Sequence, residues 1–270
     1  MSVPAEPHVP APHTPFNISV EGLIGAGKST FLGWLTEYAS KNAKYTGRIQ
    51  VSYEKIEEWS NLGGHNIFGS FCKDPREYAF SFQVLAMISR LKDSDQAHQC
   101  SIPCETCTCI RFTERSPFSD YCFASVNHAR QNMDDARFEI YKAAMNYFLT
   151  HNQNLPSCII YLRPKKDGSA ICQRRIEERD RAEERNGVIP LDYLDQLAHA
   201  HDDVLGTSSN TRCLRTGSSG SVEGSAECLT PILVIDVSTN LVKDVTARES
   251  VMRQTFAFIE KHRGSSGACA

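Results

Sequence analysis

The stretch Gly22-Leu23-Ile24-Gly25-Ala26-Gly27-Lys28-Ser29-Thr30, GLIGAGKST, follows a short β-like run, Phe16-Asn17-Ile18-Ser19-Val20-Glu21. It fits the phosphate-loop pattern G-x-x-x-x-G-K-[ST]. In such a loop the backbone N–H groups and the N-terminus of the next helix face a nucleotide's phosphates. Lys28 then reaches toward the β and γ oxygens, and Ser29 stands where Mg²⁺ binds. A strand before and a helix after give the motif the context it needs.

Working outward, five runs read as strands: 16–20, 49–53, 106–112, 158–162 and 231–237. Helical patterns lie between them. One runs from Lys28 to about residue 41, with Phe31, Leu32 and Leu35 at helix spacing. Asp74-Pro75 opens a second as an N-cap and first-turn pair, with Phe80, Val84, Met87, Ile88 and Leu91 as its apolar stripe. Three more cover 134–150, 190–205 and about 242–261. Alternating strands and helices predict an α/β domain with a parallel five-stranded sheet flanked by helices. Ligands collect beyond the carboxyl ends of such strands.

At 270 residues, 41% hydrophobic and 23% charged, the chain has the composition of one sizeable globular domain. A net charge of −3 exerts no global pull on nucleic acid or anionic membrane, so neither is expected as a partner. No apolar run reaches the length of a membrane span. Residues 1–15 read as a disordered Pro-rich arm without a secretory pattern or an arginine. The stretch 206–230 reads as a Ser/Gly-rich surface insertion and 263–270 as a tail. The expected location is intracellular, cytoplasmic first, with nucleus and mitochondrion open. The eleven cysteines therefore read as reduced thiols. Cys100, Cys104, Cys107 and Cys109 do not form two clean ligand pairs for zinc. Cys107 and Cys109 instead alternate in the third strand. Asn17-Ile18-Ser19 fits a glycosylation acceptor by chance, inside the first strand.

The loop alone does not separate a GTPase, an ATPase machine and a small-molecule kinase. No N-K-x-D and no LSGGQ-like motif is present. RRIEERDRAEER, 174–185, carries arginines 174, 175, 179, 181 and 185 ahead of Gly187. Such a run is ordinarily a solvated helix face. In a phosphate-loop protein it also suits a lid that closes over the transferring phosphoryl group and excludes water. Thr113-Glu114-Arg115-Ser116, at the end of the third strand, offers a carboxylate for Mg²⁺ and an arginine for phosphate, or simply an ion pair. Tyr53-Glu54 offers a carboxylate that could take a hydroxyl proton, or a solvated loop carboxylate.

These pieces, in this order, resemble the deoxyribonucleoside kinase family: deoxycytidine, deoxyguanosine and mitochondrial thymidine kinases and the insect multisubstrate enzyme. The blocks that carry the resemblance are ISVEGLIGAGKSTF, EKIEEW, GGHNIF, DPREYAFSFQVLAMISRL, ERSPFSDYCFAS, RIEERDRAEE, IPLDYLDQLAHAHDDVL and PILVIDV. The resemblance implies a P-loop kinase fold over residues 16–262, with an arginine-rich lid at 172–187. It implies ATP- and Mg²⁺-dependent phosphorylation of the 5′-hydroxyl of deoxyribonucleosides in salvage, by a homodimer associating through helices beside the sheet.

By the same resemblance, Glu54, Arg115 and Lys28 are catalytic, Glu54 as general base. The ATP set is Gly22, Gly25, Ala26, Gly27, Lys28, Ser29 and Thr30, with Arg175, Arg179 and Arg181. The substrate set is Glu54, Trp59, Phe82, Gln83, Ala86, Arg90, Arg115, Asp120, Phe123 and Glu184, and Ser29 and Glu114 hold the Mg²⁺. Ala86, Arg90 and Asp120 resemble the deoxycytidine and purine pattern rather than the thymidine one. A cation coupled to a carboxylate can read a polar base edge but crowds a thymine methyl. Thymidine or broad specificity is the alternative, then a nucleoside monophosphate kinase such as thymidylate kinase, then an inactive nucleotide-binding scaffold. Three positions depart from the family: Lys55 replaces a proline after the base, Cys72 falls where a tyrosine meets the sugar (with Tyr78 nearby), and 120–123 is one residue short.

Overall fold

In the computed structural model, the described residues are 15–96, 109–151, 155–184, 189–206 and 230–263. Most of the Pro-rich arm and of the Ser/Gly-rich insertion, nearly all of the tail, Cys100, Cys104, Cys107, Arg185 and Gly187 lie outside them.

The elements in chain order are β1 (Phe16–Gly22), α1 (Lys28–Ser40), β2 (Ile49–Ser52), α2 (Ile56–Ser60), α3 (Ile67–Lys73) and α4 (Pro75–Gln96). They continue with β3 (Ile110–Glu114), α5 (Pro117–Ala129), α6 (Asp135–His151), β4 (Cys158–Leu162) and α7 (Gly168–Arg179). A 3₁₀ turn (Ala182–Glu184), α8 (Leu191–Leu205), β5 (Ile232–Ile235) and α9 (Val245–Arg263) complete them.

The five strands are all parallel, in the order β2-β3-β1-β4-β5. β1 and β4 are buried along their whole length; β4, CIIYL, accordingly reads as a continuous apolar run, whereas β1 alternates apolar residues with the buried polar Asn17, Ser19 and Glu21. Phe16 pairs with Ile110 on one side of β1, and Ile18 with Cys158 on the other. Because every strand runs the same way, the ends of β1, β2, β3 and β5 open onto one edge. The main core joins the sheet to α1, α8 and α9 through Phe31, Leu35, Leu197 and Phe256. A second core, with Met87, Tyr141 and Met145, ties α4, α5 and α6 together.

Asp74 starts α4 as expected: its carboxylate accepts from the Glu77 N–H at 3.3 Å and its carbonyl from Tyr78 at 3.1 Å. The expected stripe on α4 is corrected at Ile88, which is 40% exposed, while Ala79, Phe82 and Ala86 are buried. This long helix packs on two sides, against α5 and α6 and against α2 and α3, so no single stripe describes it. β3 begins at Ile110, later than expected; Cys109 precedes it and Glu114 is its last residue. Asn17 and Ser19 lie buried within β1. Among the described residues no helix is long and apolar enough to cross a membrane.

Candidate active site

The loop after β1 is shaped by two glycines. Gly22 has φ +147°, and a Cβ there would stand 2.6 Å from the Leu162 carbonyl. Gly25 has φ +80°, and its Cβ would stand 2.4 Å from the Cys172 carbonyl, so the loop docks against α7 only with glycine. Lys28 folds back over this loop, its Nζ donating to the Leu23 carbonyl at 3.0 Å. Burial and then the charge of Arg115 lower the Lys28 pKa to about 8.

At the end of β3, the buried Glu114 accepts from Ser29 Oγ at 2.9 and 3.1 Å through its two oxygens. A carboxylate and a hydroxyl meeting beside the loop are hard oxygen donors of the kind Mg²⁺ takes, so these residues fit that ion. Arg115 follows in the left-handed region, φ 68°. Its Nη1 donates to the Gly22 carbonyl at 2.8 Å, and its Nε lies 2.8 Å from Glu54 Oε1. Burial pushes the Glu54 pKa up, but the charges of Arg115, Lys28 and Arg90 outweigh it, and the carboxyl titrates below its ordinary value.

One cavity of about 1040 Å³ unites these groups. Ala26, Gly27, Lys28, Ser29 and Thr30 line it on the loop side, and Glu54, Glu114 and Arg115 beneath. An aromatic wall rises from α2, α3 and α4, where Phe82 meets Trp59 edge-on at 5.4 Å and stacks on Phe71 at 4.8 Å. Trp59 is fixed by its Nε1, which donates to Ser89 Oγ at 3.0 Å. Phe123 faces the cavity from α5, with the Arg115 guanidinium 4.6 Å from its ring centre. Gln83 and Ala86 line the cavity too. Gln83 is 2% exposed, and its amide carries no hydrogen bond to a described residue.

Two expected site residues stand behind the wall rather than on it. Gly22 acts through its carbonyl. Arg90 supports Asp120, which does line the cavity, with Nε and Nη2 donating to the carboxylate at 2.6 and 2.8 Å. Its Nη1 donates to the Glu114 carbonyl at 3.0 Å. The Arg90 guanidinium is thus committed to protein groups, and Asp120 is the polar group the cavity sees.

Arg175, Arg179, Arg181 and Glu184 line the side closed by α7. Arg175 donates to the Val237 carbonyl at 2.9 Å, next to β5. Arg179 and Arg181 both donate to the buried carboxylate of Glu184. Of the departures, Cys72 lies in the cavity and Tyr78 does not. Burial, then Glu184 and Glu183, pushes the Cys72 thiol up to about 12. α5 runs unbroken through 120–123.

Sequence reading missed Phe68, Phe71, Asn127, Arg130 and Tyr193, all of which line the cavity. For two of them a signal existed. Ser116-Pro117 is a helix opening, with Ser116 Oγ accepting from the Phe118 N–H at 3.3 Å. Counting from Phe123 then places Asn127 and Arg130 on its face at i+4 and i+7.

Residues 18–260 match the family described as deoxynucleoside kinase. The chain is similar to "Deoxycytidine kinase 2" of Gallus gallus, 29% identical over 90% of this chain and 89% of that protein. It is 31% identical to "Deoxycytidine kinase" of Mus musculus, over 76% of this chain and 83% of that protein. It is 26% identical to "Thymidine kinase 2, mitochondrial" of Homo sapiens, over 70% and 63%. With this match spanning both the phosphate loop and the aromatic wall, the chain belongs to the deoxynucleoside kinase family.

Proposed function

We propose that the protein transfers the γ-phosphoryl group of ATP to the 5′-hydroxyl of deoxyribonucleosides, favouring deoxycytidine and purine deoxynucleosides over thymidine. The observation that carries this reading is the Glu54–Arg115 pair, 2.8 Å apart, lining one cavity with Lys28 and the loop. A hydroxyl acceptor has a proton to lose as it attacks phosphorus, and an ionised carboxylate beside it can take that proton.

In this reading Glu54 accepts the 5′-hydroxyl proton while the oxygen bonds to the γ-phosphorus and the bond to the β-phosphate oxygen breaks. Lys28 and Arg115 stabilise the charge that spreads over the phosphoryl oxygens, joined by Arg179 and Arg181 from the lid. Ser29 and Glu114 would hold Mg²⁺, which when bound neutralises phosphate charge. The base lies between Trp59 and Phe123, reached by the free Gln83 amide and by Asp120 with Arg90 behind it. Glu184 meets the sugar 3′-hydroxyl, and Arg175 packs on the ATP base. A homodimer accords with the exposed apolar side chains Ile88, Ile140 and Tyr147 on α4 and α6.

The test is phosphorylation of the four deoxynucleosides and of dTMP with Mg²⁺-ATP, alongside Glu54→Gln. Deoxycytidine or purine turnover that collapses in the variant supports the reading. Preference for thymidine would keep the kinase and discard the base preference. Turnover of dTMP alone, indifferent to Glu54, would move the acceptor to a monophosphate.

A further inference from the structure

Glu54 sits in a three-residue link, 53–55, between a four-residue strand and a five-residue helix. β2 is an edge strand, hydrogen-bonded on one side only, so this link is one of the less supported pieces of the catalytic edge. Two side chains tether it, and both reach the same carboxylate. Ser52, the last residue of β2, donates to Asp93 Oδ2. Lys55, the residue after Glu54, brings its Nζ to 3.4 Å from Asp93 Oδ1. Asp93 is anchored in turn: the buried Arg111 of β3 donates through Nη2 to its carboxylate at 2.6 Å and to its backbone carbonyl at 2.8 Å.

Asp93 belongs to α4, the helix that also carries Gln83, Ala86 and Arg90. The carboxylate of the proposed base and the wall that holds the nucleoside are therefore fastened to one helix. We propose that Asp93 is a positioning residue for Glu54, clamping the link from both sides so that the carboxylate keeps its place relative to the nucleoside wall. This rests on the reading of Glu54 as general base. A misplacement of about 1 Å in such a group costs on the order of 10²-fold in rate, whereas binding made by other residues is untouched.

Removing Asp93 itself would strip the buried Arg111 of its partner, so the clamp is better opened from the link. Ser52→Ala with Lys55→Ala frees both tethers and leaves Asp93 on Arg111. Proline at 55 offers a separate way to stiffen the link, because Lys55 already has φ −85°, near the proline range. The experiment measures kcat and KM for deoxynucleoside and ATP in the wild type, Ser52→Ala/Lys55→Ala, Ser52→Ala/Lys55→Pro and Glu54→Gln.

The expected result is a kcat about tenfold or more lower in Ser52→Ala/Lys55→Ala, with KM for ATP within about twofold of wild type, and recovery of most of that loss in Ser52→Ala/Lys55→Pro. Wild-type kcat in Ser52→Ala/Lys55→Ala, together with an inactive Glu54→Gln, would overturn the clamp and spare the base. No recovery with proline, or a KM effect on both substrates with kcat kept, would overturn it as well. An active Glu54→Gln would remove the base reading and the clamp with it.

Discussion

Arg115 reaches Glu54 at 2.8 Å from a backbone in the left-handed region, φ 68°. A non-glycine residue held there costs on the order of 1–3 kcal/mol, which the surrounding contacts must offset. The Gly22 carbonyl is one of those contacts, so the strand end, the loop and the carboxylate are joined through one side chain.

Arg115→Met should move the acid limb of the kcat/KM–pH profile upward. Burial raises the Glu54 pKa, and Arg115 is the largest of the charges that lower it. Without that cation burial gains weight, and the carboxylate needs a higher pH to ionise. A pH–rate profile on deoxycytidine checks the direction, and a downward move would contradict this electrostatic account. The rate at the plateau should also fall by about 10²–10³-fold.

ATP binding should take up protons at alkaline pH. Lys28, with its pKa lowered to about 8, loses charge in the free enzyme as pH rises through that value. A bound triphosphate favours the charged amine and raises its pKa again. Calorimetric titration at pH 8.5 in buffers of different ionisation enthalpy should therefore show uptake of part of a proton. Lys28→Met should abolish it.

Stability should fall on mild acidification through His201. Its imidazole is buried on α8, with Nδ1–H donating to the Leu197 carbonyl at 2.8 Å, and burial followed by the charge of Arg115 lowers its pKa from 6.5 to about 3. Between these values the unfolded chain binds the proton and the folded chain does not. The stability present above pH 6.5 is thus lost progressively toward pH 3, by about 2 kcal/mol at pH 5. Denaturant titrations at pH 7.5 and 5 should show a smaller difference in His201→Gln than in the wild type.

Asp120→Asn should weaken base selection, and it should also lower stability because the largely buried Arg90 loses its counter-charge. The substitution keeps the shape but removes the charge that Arg90 grips with two hydrogen bonds. The expected outcome is a drop of about 10–10²-fold in kcat/KM for deoxycytidine, with a smaller drop for thymidine. Equal losses on both would detach the pair from base preference.

Much of this arrangement was legible in the sequence, because phosphate binding and parallel pairing leave little freedom. β4 has the bounds that its apolar run predicts, and the loop lies between β1 and α1 where the glycines require it. The helices that escaped notice are α2, α3 and α5, while of α7 only the charged second half, within 174–185, read as a helix face. α5 buries Ser119, Asp120 and Asn127 among Phe118, Cys122, Ala124 and Val126, so polar residues interrupt the apolar periodicity that betrays a helix. α2 and α3 are too short for a period to register. The Asp93 clamp was invisible for a different reason: Ser52, Asp93 and Arg111 lie on three elements and Lys55 on the link after the first, and only the folded sheet brings them together.

The left-handed backbone at Arg115 also shapes which mutations a population would carry. Every arginine codon becomes a glycine codon by one nucleotide change. Glycine is the residue that relaxes φ 68° while deleting the guanidinium. Arg115→Gly should therefore retain more folded protein than Arg115→Ala, yet be as inert. Surveys that score variants by abundance would pass this allele as benign, and only an activity assay would expose it.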